Sequence, residues 1–198
     1  WDAEDSPGDL LSPPQVEVDA SIAATIYSTW RGQAIRNVID SKLGTMPLPP
    51  SQQAMTALRN LLDRFDVQQG VGASGIDFFA VPGFDASPAD RRDLVLLKSL
   101  ADALALLSGP DFAPAFGGST DPDDWRWGKL HRIVFAHPMG GPFSVPPGFD
   151  LFPAPLPGLP GIPTDGGFGV VDASSHGARA ASANAFMFSS GPSNRLVV

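Results

Sequence analysis

The sequence predicts an α+β fold, with about three helices in its first part and short strands in its second. Three observations carry that reading. Three segments before residue 110 place apolar side chains at helical spacing. The stretch 124–140 alternates bulky and polar residues with the period of two of a β-strand. Beyond residue 140 the chain is dense in glycine and proline, with brief β-prone runs between turn signals.

The opening 1–20 is rich in acidic side chains and prolines and reads as irregular. From Ser21 onward, Ala23, Ile26, Tyr27, Trp30, Ala34 and Val38 fall on one helical face. That helix runs to about Lys42 and is closed by Gly44. A second helix starts with Ser51 as N-cap after Pro49 and Pro50 and runs to about Phe65. Met55, Leu58, Leu62 and Phe65 line its buried face. Residues 66–86, broken by four glycines, read as loop.

The third helix has the clearest start in the chain. Ser87 is the N-cap, Pro88 takes the first helical position, and Asp90 sits in the first turn near the positive dipole end. Leu94, Leu97, Ala101, Leu104 and Leu107 form its expected buried stripe, and Gly109 and Pro110 end it. Leu96, Leu100 and Leu106 make the other faces apolar too, so cover on more than one side is expected.

In DWRWGKLHRIVFAHPMG (124–140), Trp127, His131, Ile133 and Phe135 share one parity, and Arg126, Leu130, Arg132 and Val134 the other. This predicts a strand covered on both faces and ended by Pro138, which lacks a ladder donor. The segment 138–168 cannot hold a helix, yet Phe143, Phe149, Leu151, Phe152, Leu156, Leu159 and Ile162 run through it. It is therefore expected to be ordered and to lie across the body of a larger protein. Strands are expected at 168–173, 185–189 and 195–198, separated by turns at 174–177 and 191–194. There is no internal repeat. The WDAEDSPGD opening and the LVV end, which stops mid-strand, both read as cuts from a longer chain.

A chain of 198 residues can remove roughly 70% of its unfolded surface from water. Its composition, 43% hydrophobic and 17% charged, is that of a folded protein. The net charge of −8 argues against binding nucleic acid, which needs a basic face. No apolar window is long enough for a membrane span. With no cysteine, disulfides, thiolate zinc sites and a cysteine nucleophile are excluded.

Several side chains invite a chemical reading. His131 and His137 lie six residues apart with no acidic partner at metal-ligand spacing, and His131 beside Trp127 reads as a buried, hydrogen-bonded imidazole. Asp121, Asp123 and Asp124 read as a solvated turn rather than a calcium or acid-pair site. Ser174, Ser175, Ser182, Ser189 and Ser190 lack the GxSxG frame of a hydrolase elbow. TDGGFG lacks the strand and helix of a phosphate cradle. Trp125 and Trp127 read as core, although the pair could stack on a ligand ring. The third histidine, His176, has no assigned partner. From the residues alone, no catalytic, cofactor-binding or metal-binding residue is assigned.

The succession of landmarks says more. A Trp-Asp opening precedes Ile26, Tyr27 and Trp30; the leucine helix comes next, then DWRWGKLHRIVFAHPMG, TDGGFGVVDAS and GPSNRLVV. The chain resembles the later part of the β chain of the penicillin acylases, a family that includes cephalosporin and acyl-homoserine-lactone acylases. Trp127 to His131 (WGKLH), with His137 and Pro138 after it, is the most specific match.

The resemblance implies an amide hydrolase made as one precursor and cut into α and β chains. In it the β chain's N-terminal serine attacks the amide carbonyl, its own α-amino group serves as base through a water, and an asparagine with a backbone N–H holds the oxyanion. It implies an αββα N-terminal-nucleophile sandwich, incomplete here: 1–120 a mainly helical inserted subdomain, 121–198 strands and loops of the sandwich. None of the nucleophile or oxyanion motifs matches a residue of this chain, so it is expected to be inactive alone.

Its expected partners are the α chain and the N-terminal part of the β chain, with a small amide as substrate and no nucleic acid or membrane. Periplasmic or secreted placement is implied, and so is room for a structural calcium in the parent, with no cofactor in this chain. The alternative reading is an autonomous, non-catalytic helical/β module that binds a partner through its proline-rich segment.

Overall fold

The computed structural model describes residues 15–135, 137–139, 141–144, 161–170 and 173–189. The irregular opening up to residue 14, most of the proline-rich segment (145–160) and the final strand at 195–198 lie outside them.

Helix α1 (Gln15–Ala34) begins earlier than expected and runs on through a π-helical stretch, Ile35–Asp40, and a last α turn, Ser41–Leu43. Gly44 comes next at φ 58°, as the closing glycine should. The face the first helical run turns inward matches the expected one at Ala34 and Val38 but not in its earlier turns. Ala23 and Tyr27 are exposed, while Ser21, Thr25, Ser28, Thr29 and Gly32 are buried ahead of Ala34, Ile35, Val38 and Ile39. Small residues let neighbouring backbone approach closely. An ideal Cβ on Gly32 would stand 2.8 Å from the Ala178 carbonyl oxygen. The buried hydroxyls are satisfied within the helix, Thr25 donating to the Ser21 carbonyl (3.1 Å) and Thr29 to that of Thr25 (2.9 Å).

Helix α2 (Ser51–Asp63) is capped by Pro50 without a side-chain bond. Ser51 is not the N-cap: it is the first helical residue, and its hydroxyl accepts the Ala178 N–H (3.2 Å) instead. Leu58 is buried as expected, joined by Ala54 and Leu61, and a short helix α3 (Phe65–Gln68) carries the buried Phe65.

Helix α4 (Pro88–Leu107) starts as predicted: the Asp90 N–H donates to Ser87 Oγ (3.1 Å), and the Ser87 hydroxyl donates to the Asp90 carboxylate (2.7 Å). Its buried stripe is Val95, Ser99, Ala103 and Leu107. Leu97 is 65% exposed and Leu94 40%, so the predicted stripe points largely outward. Helices α1 and α4 form the principal helix pair. From the π-helical stretch Asn37 donates to Ser99 Oγ (3.1 Å) and to the Asp102 carboxylate (2.9 Å) on α4. Helix α5 (Ala113–Phe116) comes after it.

The stretch expected to open as a strand at Trp127 instead turns twice in 3-10 conformation, at Pro122–Asp124 and Trp127–Lys129. The reason is a ring contact. Residues four apart on a strand are separated by roughly 13 Å. Trp127 and His131 stack at 4.9 Å with an interplanar angle of 9°, which only a helical turn allows. Extended pairing begins afterwards, where β1 (Arg132–Ile133) meets β2 (Ile162–Pro163) antiparallel, Arg132 opposite Pro163.

Ile133 also bridges Phe188 in parallel. The strand expected at 185–189 is a 3-10 turn, Ala183–Phe186, with that single bridge after it. The one expected at 168–173 is turn around Phe168 and Gly169, with Gly167 and Ala173 bridged to each other and 171–172 outside the described residues.

Two apolar clusters result. One joins Ile35, Val38 and Ile39 to Leu58, Leu61, Phe65, Phe79, Val95 and Ala178. The other gathers Leu107, Phe112, Phe116, Trp125, Trp127, Leu130 and Phe186. A bidentate ion pair ties the end of the π stretch to the later chain, Arg179 donating to both carboxylate oxygens of Asp40 at 2.7 Å.

Candidate functional site

The densest chemistry lies around Trp127. Its backbone N–H donates to Ser21 Oγ (2.8 Å) and its indole N–H to the Gly166 carbonyl (3.0 Å), so α1 and the 164–167 segment hold it from two sides. His131 stacks on one face of the indole and on Phe188, while His176 and Phe186 meet the Trp127 ring edge-on.

Inside this aromatic box runs a chain of hydrogen bonds. His131 Nδ1 lies 2.8 Å from the Thr164 carbonyl, which can only accept, so Nδ1 carries the proton. Its Nε2 lies 2.9 Å from the Ser174 hydroxyl oxygen. Ser174 Oγ in turn lies 2.7 Å from His176 Nδ1. Burial, and then electrostatic repulsion from His131 and Arg31, lower the His176 pKa to about 3. His176 is therefore held neutral.

A serine on an imidazole whose other nitrogen is fixed by an oxygen is the arrangement of an activated hydroxyl. Here it is closed off. His131 is 0% exposed and Ser174 7%, and a second imidazole occupies the face of the hydroxyl a substrate would need. What the arrangement does is lock Thr164, His131, Ser174 and His176 into one register. The sequence expectation of a buried, satisfied His131 is met, while the link to Ser174 and His176 had no signal in spacing.

The other sequence candidates disperse. His137 is exposed and its Nδ1 accepts the Met139 N–H (3.1 Å), well apart in environment from His131. Asp121, Asp123 and Asp124 form the expected solvated turn, with the Asp121 carboxylate accepting the Asp123 N–H (3.1 Å). Trp125 is core, its indole N–H on the Ser119 carbonyl (3.1 Å). Among the described residues no group of three or more His, Asp or Glu side chains could hold a metal ion. No helix among them is long and apolar enough to cross a membrane.

Arg31 carries no motif that would single it out in the sequence. It sits on α1 at 8% exposure, its guanidinium carbon 5.5 Å from the Tyr27 ring centre and 5.7 Å from that of Phe168. Burial lowers its pKa, opposed in part by Tyr27.

Comparison with known proteins gives the class. The family model for penicillin amidase matches residues 1–198, the whole chain. The chain belongs to the penicillin amidase family. No curated protein and no solved structure gave a significant match.

Proposed function

We propose that this chain is the supporting flank of a penicillin-acylase-type hydrolase that cleaves the linear amide C–N bond of an acylated amine. A β-lactam side chain or an acyl-homoserine lactone is the kind of substrate meant. The family match over the whole chain carries the reading.

The attacking hydroxyl and its amine base belong to a segment outside these residues, at the start of the β chain. There the hydroxyl adds to the amide carbon, the C–N bond breaks with proton transfer to the amine, and water releases the acid from the acyl-enzyme. The closed Ser174–His131 pair supports placing that hydroxyl elsewhere. This chain contributes a helical insertion over about 1–120 and part of the αββα sandwich after it. It assembles with the α chain and the rest of the β chain, in the periplasm or outside the cell, and any structural calcium belongs to that assembly.

The test pairs two measurements. The parent protein should hydrolyse a phenylacetyl or fatty-acyl amide, and Ser174→Ala should leave its kcat within a few-fold. Appreciable turnover by the 198-residue chain alone, or loss of turnover in Ser174→Ala with the fold retained, would overturn the proposal.

A further inference from the structure

An open groove of about 340 Å³ runs between α1 and α2, closed at one end by the 169–170 turn. Its walls are Tyr27, Trp30, Met55, Leu62 and Val170, and Arg31 lies in its lining. The walls are fixed rather than draped. The Trp30 indole donates to the Leu96 carbonyl (3.1 Å), and Gly169, at φ 72°, sits against the end of the Met55 side chain.

Arg31 is the unusual member. A cation this buried normally has a carboxylate partner, because the desolvation cost is otherwise uncompensated. Among the described residues Arg31 has no ion pair, and its Nε is sealed without a hydrogen-bond acceptor. Two aromatic rings and the Tyr27 side chain, which favours its charged form, hold it where a salt bridge would be expected. The acid at the groove rim, Asp63, is taken by Arg59 (3.2 Å).

We infer that this groove binds a small apolar molecule ending in a carboxylate, with the carboxylate on the Arg31 guanidinium and the apolar body against Trp30, Met55, Leu62 and Val170. A planar guanidinium suits a carboxylate in bidentate fashion. The volume is at the low end of small-molecule sites, which favours a compact aryl or alkyl acid over a docked protein helix. The inference rests on Arg31 and the groove alone and stands or falls separately from the amidase reading.

The purified protein would be titrated calorimetrically with 3-phenylpropionate, 3-phenylpropanamide and propionate at low salt. The aryl acid should bind at least about tenfold more tightly than its neutral amide and than propionate. Arg31→Gln should erase the preference for acid over amide. Val170→Trp, at a half-exposed position, should fill the groove and abolish binding with the melting temperature unchanged, which keeps the test decisive if Arg31→Gln fails to fold. Equal binding of acid and amide, equal binding of propionate, undiminished binding to Val170→Trp, or no binding of the acid up to about 10 mM would each overturn the inference.

Discussion

Ser174 has one proton to give and two imidazole nitrogens within reach, His131 Nε2 at 2.9 Å and His176 Nδ1 at 2.7 Å. At least one of the two rings therefore donates to the hydroxyl. A folded pKa of about 3 for His176 against an ordinary 6.5 has a definite sign. Below pH 6.5 the unfolded chain takes up a proton that the folded one refuses. The stabilisation is complete above that pH and is lost as pH falls toward 3. Urea unfolding between pH 7.5 and 5 should show stability falling by up to about 1.4 kcal/mol per pH unit from this residue. His176→Asn should flatten that slope, and an unchanged slope would mean that another group titrates. The sequence showed that His131 would be buried, because an imidazole beside a tryptophan in an apolar run has few alternatives. It could not show the serine bridge, which joins residues 43 apart through a loop with no periodicity.

At the scale of elements, capping chemistry was readable where hydrophobic phase was not. Ser87, Pro88 and Asp90 announce α4 locally, and their bonds involve only residues three apart. The buried stripes of α1 and α4 misled because large apolar side chains, Tyr27, Leu94 and Leu97, face outward while serine, threonine, alanine and glycine face inward. Periodicity locates a helix reliably; it assigns the inner face only when size and burial agree. Gly32 offers the sharpest check. Alanine is normally the better helix former by about 1 kcal/mol. Gly32→Ala should nevertheless lower the melting temperature, since its methyl would meet the Ala178 carbonyl. A rise would show that the loop at 178 yields freely.

For the whole molecule, Trp127 is the joint between helices and loops. It is 1% exposed and touches α1 through Ser21, the 164–167 segment through Gly166, and three aromatic neighbours through its ring faces and edges. Trp127→Ala should cost about 3–5 kcal/mol and depress soluble yield sharply. Among the molecules of the parent enzyme that do fold, substrate preference should change little. Normal yield with switched preference would instead put the ring in a binding surface.

The Asp40–Arg179 pair joins residues 139 positions apart, and Ala178 sits in the same apolar cluster as Ile35 and Val38. On a ribosome adding 5–20 residues per second, the end of the first helical run waits roughly 7–28 s for its counter-ion to be made. During that interval newly emerged α1 exposes the backbone strip at Gly32 and a lone aspartate. The first helical run is thus closed only once residues 178 and 179 have been translated.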